Sequence, residues 1–128
     1  MKKQLDKVQE FHELFRLGIG KKPDSVLEEG KGELRYELMK EENEEYLEAV
    51  KNQDMVEVAD ALGDMLDILC GTIIEHGMQG LIEDVFDEIH RSNMSKLGDD
   101  GCPVYREDGK VMKGPGYFRP DLIKVLKK

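Results

Sequence analysis

Hydrophobic residues recur along this chain at the three- and four-residue spacing of an α-helix. Segments rich in glycine, proline and polar residues interrupt the pattern, and a loop of this kind at 18–31 is expected to cover a site or to contact a second subunit. The pattern predicts four main helices, over residues 3–17, 32–51, 55–74 and 79–97.

The C-terminal part of the chain lacks a long helical pattern. Residues 98–119 predict a loop with two short strands around a Glu-Asp-Gly turn. The tail PDLIKVLKK predicts a short terminal helix. We therefore expect an all-α fold, a four-helix bundle with a short hairpin-like loop, forming a single domain over residues 1–128.

The most apolar stretch, residues 55–74, carries an acidic stripe. Its charged residues are Glu57, Asp60, Asp64 and Asp67, and at about 100° per residue they fall within an arc of roughly 80°. A helix that is apolar nearly all round is normally buried, where ionised carboxylates lose hydration and repel one another. We expect a positive partner, and a hard divalent cation is the simplest candidate.

The second predicted helix presents a similar stripe. Glu42 and Glu45 fall inside its apolar arc, and Glu41 lies at the edge of that arc. Arg35 also points inward, and two partners are open for it, a carboxylate or a substrate phosphate. An acidic helix is usually a solvated helix, but glutamates on the core-facing side are not explained in that way.

A short break at residues 52–54 separates these two helices, with Asp54 as a predicted N-cap. Such a short connection favours antiparallel packing, which brings the two acidic stripes together. Gly63 and Gly71 either permit a close backbone approach or are packing glycines. Oxygen ligands suit Mg²⁺, with Mn²⁺ as a possible substitute. The candidate ligands are Glu41, Glu42, Glu45, Glu57, Asp60 and Asp64, and Glu41 and Glu42 are also candidates to polarise water.

Several polar residues remain as candidates outside this acidic pair of helices. His12 is interpreted as a histidine at the edge of the core. Asn93 lies on the core stripe of the fourth helix, formed by Ile82, Val85, Phe86, Ile89 and Leu97, and is either a hydrogen-bonded core residue or a phosphate ligand. The candidate substrate contacts are Arg35, Asn93, Lys96, Lys110 and Lys113.

Composition and charge narrow the class of protein. The chain has 39% hydrophobic and 37% charged residues with a net charge of −9, which fits a soluble helical protein and disfavours binding to nucleic acid. Cys70 and Cys102 have no CxxC spacing and are interpreted as free thiols. The N-terminus has no apolar segment typical of a signal peptide, and the carboxylates in residues 55–74 exclude a membrane span. We expect a cytoplasmic protein.

Other site classes are not supported. A di-iron carboxylate bundle needs Glu-x-x-His on two helices, and this chain has one related motif, Asp87-Glu88-Ile89-His90. P-loops, dinucleotide-binding fingerprints and nucleophile arrangements are absent from the sequence.

The segments KEENEEYLEAV and EVADALGDMLDILCGTIIEHGM resemble the all-α nucleoside triphosphate pyrophosphohydrolases, which include MazG, the dimeric dUTPases and phosphoribosyl-ATP pyrophosphohydrolase. VQEFHELF, HRSNMSKLGDDG and DGKVMKGPGYFRPDL extend the resemblance over roughly residues 8–122, towards a phosphoribosyl-ATP pyrophosphohydrolase-like branch. The resemblance implies Mg²⁺ binding through an EExxE and ExxD pattern. In this sequence the pattern falls on Glu41, Glu42, Glu45, Glu57 and Asp60, with Asp64 as the alternative to Asp60 one turn away.

The resemblance also implies a reaction, cleavage between the α- and β-phosphates of a nucleotide to give a monophosphate and pyrophosphate. The leading hypothesis is a Mg²⁺-dependent enzyme of nucleotide-pool house-cleaning that acts on dUTP or on another canonical or modified triphosphate. The alternatives are phosphoribosyl-ATP hydrolysis in histidine synthesis and a non-catalytic metal-binding helical module. A homodimer or homotetramer is expected in each case.

Overall fold

A computed structural model of the chain describes residues 1–127, so that Lys128, the last residue of the predicted tail, lies outside it. Each helix within this range begins and ends within three residues of its predicted bounds. The all-α fold and the C-terminal hairpin predicted from the sequence are both confirmed. The elements are α1 (Lys2–Leu14), α2 (Lys31–Lys51), α3 (Met55–Glu75), α4 (Ile82–Met94), β1 (Val104–Tyr105), β2 (Val111–Met112) and α5 (Leu122–Leu126).

The chain divides into two compact units, one from Met1 to Gly80 and one that begins at Leu81. The first unit contains α1, α2 and α3. The second contains α4, α5 and the hairpin, whose antiparallel strands pair Val104 with Met112 and Tyr105 with Val111. The single domain expected from the sequence stays a prediction, because a division into compact units does not show whether the units fold separately.

Helix α3 is the centre of the first unit, since both α1 and α2 pack on it. It begins as predicted at Asp54, whose carboxylate accepts a hydrogen bond from the backbone N–H of Glu57 at 3.1 Å. It ends at His76, and Gly77 follows in the left-handed region with φ 70°. The core of the unit lies at the C-terminal half of α3, where the buried residues include Leu5, Val8, Cys70, Ile73 and Ile74.

Helix α3 is less buried than its apolar sequence predicts. Met55 and Val56 are 71% and 76% exposed, and Leu62 is 49% exposed. The prediction of a helix buried all round is therefore wrong for its N-terminal half, because α1 and α2 cover only part of its circumference. Phe86, predicted to be core, is likewise 66% exposed on α4, where the packing partner in its unit is the short helix α5.

The loop at residues 18–31 is fastened to the C-terminal end of α3. The N–H of Gly20 donates to the Ile74 carbonyl at 2.8 Å, and the N–H of Asp24 donates to the His76 carbonyl at 3.0 Å. His12 lies beneath the start of this loop, buried as predicted, with its Nδ1 2.8 Å from the Gly18 carbonyl oxygen. The loop is thus held as part of the first unit.

The two glycines of α3 that were singled out have different surroundings. A Cβ at Gly71 would lie 2.6 Å from Nη2 of Arg35 and 2.8 Å from Nε2 of His12, so the absence of a side chain there permits close packing. A Cβ at Gly63 would meet no atom within 4 Å among the described residues, so neither the close backbone approach nor the packing glycine proposed for this position is found there. No helix among residues 1–127 is long and apolar enough to cross a membrane.

Replacing Ile74, which is fully buried, with Ala should lower the free energy of unfolding by about 2–5 kcal/mol, because the change leaves a cavity in the core. Val26→Ala is the control, since Val26 is 74% exposed, and we expect it to change stability by less than about 0.5 kcal/mol. Urea unfolding of both variants measures the difference. Equal effects would contradict the placement of the core at this end of α3.

Candidate active site

Four carboxylates from α2 and α3 meet on facing sides of the two helices. We call this group the carboxylate cluster; it consists of Glu42, Glu45, Asp60 and Asp64. Burial, followed by a hydrogen bond with Glu45, raises the pKa of Glu42 from 4.5 to about 7, and the charges of Glu45, Asp64 and Asp60 raise it further. One carboxylate oxygen of Glu42, Oε2, is buried and has no hydrogen-bond partner. The two acidic stripes are therefore brought together as the sequence predicted.

Asp64 experiences the same environment from the α3 side. Burial raises its pKa, and the charges of Asp60, Asp67 and Glu45 act in the same direction. Asp67 thus belongs to the electrostatic surroundings of the cluster, although it was not among the predicted ligands. Its position within the acidic arc of residues 55–74 was the signal that could have identified it.

The carboxylate cluster is not arranged as a preformed metal site. Among residues 1–127, no three Asp, Glu, His or Cys side chains are placed so that they could hold a metal ion as they stand. Glu42 is half-buried, while Glu45, Asp60 and Asp64 are exposed. The arrangement is a set of mutually repelling carboxylates whose all-oxygen chemistry suits a hard divalent cation.

The remaining predicted ligands lie beside this cluster. Glu57 and Glu45 line a cleft of about 210 Å³ beside the connecting turn, at the C-terminal end of α2 and the N-terminal end of α3. Glu48, which was not predicted as a ligand, lines the same cleft. Glu41 is exposed and is not among the carboxylates whose charges raise the pKa of Glu42 or Asp64.

Arg35 has the carboxylate partner that the sequence left open. Its Nε lies 3.2 Å from Oε2 of Glu75 and donates to Oγ1 of Thr72 at 2.9 Å. Its Nη2 donates to the Ile68 carbonyl at 2.8 Å. Glu75 was missed by the sequence reasoning because it is the last residue of α3; the available signal was its spacing of three turns from Asp64, on the same face of the helix.

The second unit holds the other predicted substrate contacts. Asn93 and Lys96 line one cavity of about 410 Å³, whose other walls include Met94, Leu97 and Pro103. Lys113 has its Nζ 4.8 Å from the centroid of the Tyr117 ring, which is a cation–π arrangement. Lys110 lies in the turn of the hairpin, where its backbone N–H donates to Asp108 at 3.1 Å. Lys110 and Lys113 are not among the described residues that line the cavity.

The metal-free chain should lose stability as the pH rises through the titration of Glu42. Its folded-state pKa of about 7 lies above the ordinary value of 4.5, so the folded chain binds more protons than the unfolded chain between these values. Glu42→Gln removes the repulsion and should raise the thermal midpoint at pH 8, with little effect at pH 4.5. Thermal unfolding in EDTA at both pH values, with Glu37→Gln as control, measures this. A Glu42→Gln variant less stable than wild type at pH 8 would contradict the prediction.

A comparison with protein families matches the segment that contains the cluster. The profile of a family described as phosphoribosyl-ATP pyrophosphohydrolase matches residues 8–93, about two thirds of the chain. The matched segment includes α2 and α3 with the whole carboxylate cluster, and it ends at Asn93. No curated protein sequence gives a significant match to the chain.

Proposed function

The chain belongs to the phosphoribosyl-ATP pyrophosphohydrolase family, and from this membership we propose that it hydrolyses a nucleoside triphosphate to a monophosphate and pyrophosphate with the help of Mg²⁺. Membership itself makes the chain a nucleotide pyrophosphohydrolase, a hydrolase of phosphoanhydride bonds. The requirement for Mg²⁺ and the identity of the nucleotide are what we propose in addition.

The buried, unpartnered oxygen of Glu42 is the observation that supports a cation most directly. Burial without a hydrogen bond is costly for a carboxylate, and the three neighbouring carboxylates increase the cost. A divalent cation would relieve it, and we propose Glu42, Glu45, Asp60 and Asp64 as its ligands because their charges act on one another. Glu41 and Glu57 are proposed as ligands on the sequence pattern. When bound, the ion would neutralise negative charge on the phosphate oxygens.

The protein's own contribution to the chemistry is a base near the cluster. A carboxylate beside the bound cation can accept a proton from the attacking water. We propose that Glu42 accepts the proton of the attacking water, with Glu41 as the alternative from the family pattern. Glu42 is placed first because it belongs to the carboxylate cluster, whereas Glu41 is exposed and lies outside it.

Phosphate binding is proposed for the second unit on the basis of donors and charge. Asn93 offers amide N–H groups and Lys96 an ammonium group within one cavity, and both groups hydrogen-bond phosphate oxygens. Lys110 and Lys113 are proposed to close over the phosphates. Arg35 is engaged by three partners on α3, so we propose a structural role for it instead of a phosphate contact.

Two substrate classes fit the family. A house-cleaning enzyme would act on dUTP or on another canonical or modified triphosphate. The description of the matching family favours phosphoribosyl-ATP as the second candidate. Complementation of a histidine auxotroph separates the two, because only phosphoribosyl-ATP hydrolysis restores growth. Family membership favours an enzyme of either kind over the non-catalytic metal-binding module.

We expect the purified chain to release pyrophosphate from a nucleotide of one of these classes only when Mg²⁺ is present. Glu45→Gln and Asp60→Asn should each reduce turnover at least about 100-fold, because the loss of a ligand removes several kcal/mol of charge stabilisation. Glu37→Gln, which lies outside the cluster, should retain wild-type turnover. The measurement is pyrophosphate release from a panel of triphosphates and phosphoribosyl-ATP, with identification of the monophosphate.

The outcomes separate the parts of the proposal. Wild-type turnover by Glu45→Gln or Asp60→Asn would remove that residue from the mechanism. Equal turnover with and without Mg²⁺ would contradict the metal. Thermal midpoints at or above the wild-type value would show that the variants remain folded, since each substitution relieves repulsion.

A homodimer or homotetramer is proposed as the assembled form. Met55, Val56 and Leu62 leave an apolar face of α3 exposed. Phe11 of α1 stacks at 4.3 Å on Phe15, which directly follows that helix, and the two residues are 45% and 64% exposed. Apolar surface of this kind gains about 25 cal/mol per Å² when it is covered. We also propose a cytoplasmic location, because both cysteines are free thiols.

Light scattering coupled to gel filtration should therefore give a mass of two or four chains at micromolar concentration. Val56→Asp should shift the mass towards the monomer, because it places a charge on the apolar face. Val26→Asp, on an exposed loop residue, is the matched control. A wild-type monomer would contradict the assembly without affecting the proposed chemistry.

A further inference from the structure

A buried ion pair joins α2 to α3 at the end opposite their connecting turn. The side chains of Arg35 and Glu75 are 13% and 7% exposed, and Nε of Arg35 lies 3.2 Å from Oε2 of Glu75. The same guanidinium donates to Oγ1 of Thr72 and to the carbonyl of Ile68. These three partners follow one face of α3 over two turns, so a single side chain contacts α3 at three successive levels.

Most apolar side chains of α2 and of the first half of α3 are exposed or half-buried. Ala49 is the buried residue of α2, and a methyl group interdigitates little with a partner helix. On α3, Leu62, Leu66 and Leu69 are 49%, 40% and 41% exposed. Large side chains packed into grooves normally set the register of a helix pair. The directional contacts of Arg35 add a constraint that apolar packing does not supply, because a hydrogen bond requires specific positions of donor and acceptor.

The carboxylate cluster lies between this ion pair and the connecting turn. Arg35 precedes Glu42 by two helical turns, and Glu75 follows Asp64 by three, in each case on the same face. A shift of α2 against α3 at the ion pair therefore moves the facing carboxylates by a similar amount, because each helix moves as a rigid element. Repulsion within the cluster favours such a shift, and the attraction between Arg35 and Glu75 opposes it.

We propose that Arg35 and Glu75 are positioning residues, whose ion pair sets the register of α2 against α3 and so keeps the carboxylates of the cluster near enough for their side chains to close on a divalent cation. The inference rests on the proposed metal-binding function of the cluster. Gly71 supports it, since a Cβ there would lie 2.6 Å from Nη2 of Arg35 and would block the guanidinium from crossing α3.

A buried ion pair is a poor source of net stability, because the loss of hydration offsets the attraction between the charges. Setting the register of packed helices is a better-supported use of such a group. Oε2 of Glu75 has no hydrogen bond, so without Arg35 this buried oxygen would lose the cation that lies 3.2 Å from it. Replacing both partners by apolar residues should therefore restore stability that replacing one partner removes.

The test measures Mn²⁺ binding by electron paramagnetic resonance, together with thermal unfolding, on the full-length chain. Arg35→Met and Glu75→Gln should each weaken Mn²⁺ binding at least about tenfold. The double variant Arg35→Met/Glu75→Met should recover thermal stability but remain about tenfold weaker for Mn²⁺. A purely structural role predicts instead that metal affinity recovers together with stability.

Leu5→Ala is the matched control, because Leu5 is buried on α1, whereas the ion pair and the carboxylate cluster lie on α2 and α3. It should lower the thermal midpoint while Mn²⁺ affinity stays at the wild-type value. If Arg35→Met does not fold, Arg35→Lys replaces it. Lysine keeps the charge but cannot reach all three partners with a fork of donors, so Mn²⁺ binding should still weaken.

Wild-type Mn²⁺ affinity in Arg35→Met or Arg35→Lys would overturn this inference and leave the proposed function intact. An equal loss of Mn²⁺ binding in Leu5→Ala would also overturn it, because the loss would then follow general destabilisation. Absence of Mn²⁺ binding by the wild-type chain would contradict the proposed function itself, and the inference with it.

Discussion

Mutual repulsion among the carboxylates of α2 and α3 is the constraint on which the structure of the first unit depends. Two helices joined by a three-residue turn place Glu42 and Glu45 against Asp60 and Asp64. Burial, together with the charges of the neighbouring carboxylates, raises the pKa values of Glu42 and Asp64. A chain selected for stability alone would have little reason to keep such an arrangement. The loss of stability caused by this repulsion is understandable if the site must bind a cation and an anionic substrate.

The other contacts of the first unit hold α2 and α3 together despite the repulsion within the carboxylate cluster. Asp54 caps the start of α3 directly after the turn by accepting a hydrogen bond from the N–H of Glu57. At the end of the helix pair that lies away from the turn, Arg35 pairs with Glu75. The main core lies towards that second end, around Ile74 and Cys70. Stability is therefore concentrated away from the carboxylates, so changes in their ionisation need not disturb the packing of the core.

The helical pattern was sufficient to predict the elements and the acidic faces, because side-chain periodicity within one helix depends on sequence spacing alone. It did not identify Glu75 or Glu48. Their roles depend on what faces them from the other helix, which spacing within one helix does not reveal. It also overestimated burial at Met55, Val56 and Phe86, since an apolar side chain shows a preference for cover without showing whether a neighbour supplies it.

The sequence by itself determined the all-α class, the antiparallel pair of acidic helices and the family, because these follow from local periodicity, a short turn and a recognisable motif. Only the tertiary structure decided which carboxylates share one electrostatic environment, that Arg35 pairs with Glu75, and that half of α3 is uncovered within its unit. Those outcomes depend on distances between residues far apart in the chain. Long-range contacts are set by the packing of whole helices and cannot be computed from the spacing within one.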